Sequence, residues 1–450
     1  MASSPPVLRT PRLVQWLRYG YTPEAFLLGA RRRHGDAFVV RVFGQEWVVL
    51  GHPDAVREVF TGDPEALYSG EANENISGII GRRNVLILDG AEHLARRRLV
   101  LPPFRGDHVH EYTALVEGVA RPQLADWPVG TTVRALDHMR DITFEVILRA
   151  VFGVEDRPRL QRLGKALADL LTWTVDPRRI LQFGLMGPAR LERSRGFRAQ
   201  VADVDAQVFA HITERRADRR LEQRTDVLSV LLRARDGDGE PLADRDVRDE
   251  LVTQLIAGHE TTAALLGWAI HDAVRTPGVM DRLAAREEGF AEAVVAESLR
   301  RRPPVPVVLR KLKRPLRIGG HDLPAGVTVA PSPVLLHQRP ELYPDPRAFR
   351  PDRFLGEKPP AWGWLPFGGG VRRCIGATFA AAEAAIVLTE LASAYELRAA
   401  GRRPEKTGRR GIVLVPRDGC RVSVVARRSG GEGASPRERT EPQAATPGAS

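Results

Sequence analysis

Cysteine is nearly absent from this chain. Only Cys374 and Cys420 occur in 450 residues, which excludes a disulfide framework and suits a reducing compartment. Lysine is almost as scarce, standing only at positions 165, 311, 313, 358 and 406, so the formal net charge of +11 is carried by arginine. The arginines are interspersed with acids, and no basic stripe interleaved with aromatics is present. No nucleic-acid partner is therefore expected. No run of about eighteen apolar residues occurs, and the start Met1-Ala-Ser-Ser-Pro-Pro-Val7 has neither feature of a signal peptide. The expectation is a cytoplasmic monomer with no membrane anchor. Hydrophobic residues make up 43% of the chain, enough for a substantial core.

Periodicity gives a mainly α chain with a minor β-sheet. Helices are expected over His93–Leu101, His110–Asp126, Asp141–Phe152, Gly196–Arg220, Val247–Arg275, Phe290–Arg301 and Ala377–Tyr395. Val39–Val42 and Glu46–Leu50 read as a hairpin, and short strands are expected at Leu316–Ile318, Val327–Val329, Ile412–Val415 and Cys420–Val425. No linker divides residues 1–428. Residues 429–450 turn to Ser, Gly, Glu, Pro, Arg and Thr, the composition of a disordered tail.

The most informative stretch is Phe367-Gly-Gly-Gly-Val-Arg-Arg-Cys-Ile-Gly376, followed by an alanine-rich run. Three consecutive glycines let a backbone take unusual angles and admit a large flat group close to it. Loop amides and the positive end of a helix beginning near Ile375 would favour the thiolate of Cys374, a metal ligand. Leu251–Thr262 lies in a second helix and places Gly258, Glu260, Thr261 and Thr262 within an apolar run. Threonine hydroxyls there can capture backbone carbonyls and open space for a ligand.

The spacing Phe-x-x-Gly-x-Arg-x-Cys-x-Gly resembles the haem-binding loop of the cytochrome P-450 family at every fixed position. Ala257-Gly-His-Glu-Thr-Thr262 is similar to its dioxygen groove, and Glu297-Ser-Leu-Arg300 to its Glu-x-x-Arg pair. The wording of these motifs is also that of membrane-anchored relatives, but the connection into Glu297 is compact, and the mixture resembles a soluble bacterial branch. The resemblance covers about residues 10 to 427 and implies a single-domain fold with a buried haem b.

By this resemblance Cys374 ligates the iron, within a loop that includes Phe367 and Gly376. His93, Arg97, Arg310 and Arg372 hold the propionates, and Glu297, Arg300 and Arg353 form a structural ion network. Thr261 and Glu260 guide protons to dioxygen, and the implied activity is monooxygenation by hydroxylation or epoxidation. No flavin or iron–sulfur segment is visible, so ferredoxin and ferredoxin reductase are the implied donors, docking on Arg96, Arg98 and Arg373. Ile79, Ile80, Leu181, Phe183, Ala257, Ala264, Val307 and Val308 would line an apolar pocket. A terpenoid, fatty acyl or polyketide-like hydrophobic molecule would fit there. Two rival readings keep the haem-thiolate site: a ligand-binding protein, and an isomerase or dehydratase of the same fold. Glu260 and Thr261 count against the first, because mere binding needs no proton relay, and Thr261 favours oxygenation over the second.

Overall fold

The structure is a computed structural model describing residues 4–42, 44–104, 109–175, 192–235, 239–356 and 359–428. Its centre is one long helix. Six helices frame the site or its support: α1 (Arg12–Tyr21), α2 (Gly90–Val100), α3 (Ala135–Phe152), α4 (Asp244–Ala273), α5 (Phe290–Arg301) and α6 (Ala377–Ala394). Helix α4 has Asp244 and Asp246 in its first turn, where the helix dipole favours acids. It is buried on nearly every face, as expected of a helix running through a core. Helix α3 packs along it, and α5 and α6 close the other side. Alanine-rich α6 is long and apolar enough to cross a membrane, but more than half of it is buried within the protein.

A five-stranded sheet flanks the helices in the order β1-β2-β5-β4-β3. Its strands are β1 (Ala37–Val42), β2 (Gln45–Leu50), β3 (Leu67–Tyr68), β4 (Arg310–Leu312) and β5 (Thr328–Pro331). The expected hairpin is present, with Val39 opposite Val48 and Val40 opposite Trp47. Strand β5 then joins β2 in parallel, pairing Trp47 with Thr328. Strand β4 pairs antiparallel with the other side of β5, setting buried Arg310 opposite Val329.

Several boundaries differ, most of all α3, which begins at Ala135 and not at Asp141, and two differ for evident local reasons. Helix α2 starts three residues before His93, because Asp89 ends the preceding loop by accepting the amides of Ser69, Gly70 and Glu71 at 2.9 Å. The last strand starts at Arg421 rather than Cys420, whose φ of +53° lies in the left-handed region. Residues 429–450 lie outside the described residues.

Candidate functional site

The cysteine loop is shaped by close backbone packing. Gly368 and Gly370 have φ of +66° and +64°. A Cβ on Gly370 would lie 2.1 Å from the Phe60 carbonyl oxygen, so only glycine passes there. The Cys374 amide donates to the Phe367 carbonyl at 2.9 Å, closing the loop three residues before α6 begins. Cys374 is crowded by protein, yet its side chain keeps accessible surface, so it faces free space deep in the fold. Burial pushes its thiol up, opposed by the Gly376 N–H and the charges of Arg97 and Arg373. The expectation that the loop alone favours a thiolate is therefore not met. Desolvation wins, and a metal cation at the sulfur is what would hold the anion.

Beside that sulfur lies a crowd of positive charge. His93 is buried and pushed down to about 3 by burial and then by Arg372, Arg97 and Arg310. Burial and the neighbouring Arg372 hold Arg310 down to about 10, and burial likewise lowers Arg372 to about 10. Asp89 is the carboxylate that offsets them, bonded to Arg372. Arg372 also donates to the carbonyls of Val85, at 3.0 Å, and Leu88. Arg310 donates to Ser69 Oγ at 3.0 Å. One acid against this many cations leaves an excess that two carboxylates would neutralise. The four residues expected at the propionates are brought together, and they fit a haem. Asp89, which orients Arg372, carries no recognisable spacing and was missed from sequence.

On α4, Ala257 and Thr261 keep accessible surface one turn apart on an otherwise buried helix. Thr261 Oγ1 donates to the Ala257 carbonyl at 2.6 Å. Assigned as helix throughout, α4 has no break, so this bond decorates the ladder instead of opening it. Glu260 points elsewhere. Arg140 of α3 donates to it at 2.9 and 3.1 Å, and Arg410 Nε lies 3.2 Å from its other oxygen. A proton path through Glu260 would have to release one of these guanidiniums.

The Glu297 network is present, with Glu297 and Arg300 fully buried and Arg353 partly so. Arg300 donates to both Glu297 oxygens at 2.6 and 2.8 Å, and Arg353 Nε lies 3.4 Å from Glu297. Two further ties join this network to the cysteine loop. His337 Nδ1 meets the Arg300 carbonyl at 3.1 Å, while its Nε2 accepts from the Leu365 amide at 2.9 Å. A carbonyl can only accept and an amide N–H can only donate, so the proton sits on Nδ1. Trp364 Nε1 donates to the Ala296 carbonyl at 3.2 Å. Nothing local in the sequence marks this role of His337, because its partners are 28 and 37 residues away.

Glu383 on α6 is an isolated buried carboxyl, 3% exposed, whose Oε1 lacks a hydrogen-bond partner among the described residues. Burial holds its pKa well above the ordinary 4.5. An acid raised in the folded state costs stability as pH climbs through its unfolded value, up to the folded one. Glu383→Gln is therefore expected to stabilise progressively above about pH 4.5, by at most ~1.4 kcal/mol per pH unit. Denaturant unfolding of both proteins across pH 4–8 checks this; a constant difference between them would contradict it.

The apolar pocket residues divide. Ile79, Ala257 and Val308 keep accessible surface, whereas Ile80, Ala264 and Val307 are buried among core side chains. Leu181 and Phe183 lie outside the described residues. One docking expectation is overturned. Arg96 is 6% exposed and ion-paired inward, to Asp246 at 2.6 Å and Glu250 at 3.4 Å, while Arg98 and Arg373 are exposed.

Comparison with known proteins agrees with this geometry. The sequence profile described as cytochrome P450 matches residues 5–288 and 289–423. Cytochrome P450 135B1 of Mycobacterium tuberculosis is 39% identical over 429 residues, covering 92% of this chain and 89% of that protein. Cytochrome P450 135A1 of the same species is 36% identical over 439 residues, covering 96% and 97%. Among solved structures, retinoic acid-bound cyanobacterial CYP120A1 superimposes with a TM-score of 0.81 at 23% identity, covering 94% of this chain and 99% of that one. The cytochrome P450DA haem domain matches with a TM-score of 0.81 at 24% identity, covering 95% and 98%.

Proposed function

The chain belongs to the cytochrome P450 family, whose cofactor is cysteine-ligated haem, and from that premise we propose that it hydroxylates or epoxidises an apolar small molecule, with Cys374 as the ligating sulfur. When bound, the haem supplies the iron at which dioxygen is activated, and the thiolate raises its electron density. The observation that carries this reading is the accessible Cys374 side chain, deep in the fold and next to the His93, Arg97, Arg310 and Arg372 cluster. In this reading Arg97, Arg310 and Arg372 hold the propionates, and His93 donates as a neutral imidazole. The Thr261 hydroxyl donates within the pocket, and Glu260 accepts protons from solvent by exchanging one of its arginine partners. Ile79, Ala257 and Val308 exclude water and receive the substrate, which suits terpenoid, fatty acyl or polyketide-like molecules.

Electrons come from a ferredoxin and its reductase, for which exposed Arg98 and Arg373 on the cysteine side form a basic docking edge. Residues 1–428 act as one catalytic domain in the cytoplasm. The test starts from a spin-state titration that selects a binding substrate. Turnover with surrogate ferredoxin and reductase under ¹⁸O-labelled dioxygen should then give a product carrying one labelled atom. A rearranged or dehydrated product without label would overturn monooxygenation in favour of isomerase or dehydratase chemistry.

A further inference from the structure

Helix α1 is built inside out. A helix on the surface of a globular domain turns apolar side chains inward and polar ones to water. In α1 the fully enclosed residue is Gln15, 0% exposed. Its amide donates to the carbonyls of Leu8 at 3.2 Å and Thr10 at 2.7 Å, and its oxygen accepts from the Arg41 amide at 2.8 Å. Tyr19, the other buried residue, packs edge-on against Phe26 and Trp47.

Facing outward are Leu13, Val14, Leu17 and Tyr21, exposed by 64, 39, 39 and 66%. At 3.6 residues per turn these four span an arc of about 100°, opposite Gln15 and Tyr19. Ile412, 55% exposed, extends the set from the neighbouring turn, and Val7, 41% exposed, precedes α1 in the chain. Arg409 links the Ile412 turn to α1, donating to the Tyr19 carbonyl at 3.3 Å. Among the described residues, these six are most of the strongly exposed large hydrophobic side chains. So concentrated an apolar surface marks an interaction site.

Charge decides the partner. Exposed Arg18 flanks this face about 40° beyond Val14, exposed Arg9 and Arg12 stand at its N-terminal end, and the first acidic residue of the chain is Glu24. Glu46, 3.8 Å from Arg12, is already bonded to Arg41 at 2.7 Å. A second copy of the chain would set arginines against arginines. Residues 429–450 contain no leucine, isoleucine, valine, methionine or aromatic residue with which to cover the stripe. An anionic bilayer satisfies both halves: its acyl boundary takes the leucines and tyrosine, and its phosphates take the guanidiniums.

We propose that α1 and the Ile412 turn form an interfacial site that lays this protein on an anionic lipid surface. At 10 residues, α1 is about 15 Å long, half the hydrocarbon thickness, so it lies in the interface and does not span it. The apolar cluster beneath α1 includes Val307 and Leu309, so attachment holds this side of the sheet toward dissolved apolar compounds. The lipid site itself does not depend on the reaction proposed above.

Vesicle co-sedimentation of the haem-loaded full chain tests it. Binding is expected to phosphatidylcholine vesicles containing about one-third phosphatidylglycerol, and to fall several-fold on pure phosphatidylcholine or in high salt. Leu13→Asp/Leu17→Asp should lower it at least about tenfold. The replaced side chains are already exposed, so thermal unfolding and the absorption spectrum should not change. Three results would overturn the proposal: no binding to anionic vesicles at low salt, equal binding by the double variant, or a wild-type dimer that the variant makes monomeric. The last would assign the face to a second copy.

Discussion

Arg300→Met is expected to leave little folded, haem-loaded protein. Arg300 is 0% exposed and neutralises Glu297, also 0% exposed. It further donates to the carbonyls of His337 and Pro346 at 3.0 Å and of Ala348 at 3.2 Å. Methionine would remove the charge and these donors together. Glu297 would retain the Arg350 amide at 2.9 Å and the more distant Arg353. Breaking one side of a buried ion pair costs about 3–5 kcal/mol, a large part of the ~5–15 kcal/mol that holds an ordinary domain together. The effect should reach the cysteine loop, because His337 and Trp364 tie α5 to Leu365 and Trp364 just before it. Thermal unfolding and haem content of the purified variant are the measurements. A melting point within about 2 °C of wild type, with full haem, would remove the network from its structural role.

Thr261→Ala is expected to act on turnover and spare folding. The Thr261 hydroxyl bonds only back to Ala257 among the described residues, and α4 keeps its own backbone ladder without it. Loss of the hydroxyl should leave haem content, reduction and substrate binding near wild type. Product per electron pair consumed should drop by about 10²-fold, the low end of what a positioned proton-transfer group contributes. Thr261→Ser, which keeps the hydroxyl, should restore most of it. Parallel assays of oxygen consumption and product distinguish the outcomes: unchanged coupling in the alanine variant would exclude Thr261 from proton delivery.

What was legible in the sequence was what local spacing encodes. The Phe367–Gly376 loop could be read because its glycines and its cysteine are neighbours, and Gly370 has a steric reason to be glycine. Glu297 and Arg300 share a helix face at i and i+3, so their pairing followed from periodicity. Phe290–Arg301 came out to the residue for the same reason. Contacts between distant segments could not be read this way. Arg96 looked like a surface cation because its partners Asp246 and Glu250 stand 150 and 154 residues away. Asp89 and His337 each act through several bonds to distant segments, which leave no periodic trace. Glu260 was identified as a polar residue in an apolar helix, but its direction was set by Arg140 and Arg410, on other elements. The reversed face of α1 also escaped the sequence, since a helical pattern gives a stripe without saying which side meets the core.

The central claim is that the sulfur of Cys374 holds the haem iron, and the reduced carbonyl spectrum addresses it most directly. Wild-type protein, reduced under carbon monoxide, should absorb where sulfur-ligated haem absorbs, and Cys420→Ser should do the same. Cys374→Ser should lose that band entirely, even where porphyrin is retained. An identical band in the Cys374→Ser protein, or none in the wild type, would contradict the account.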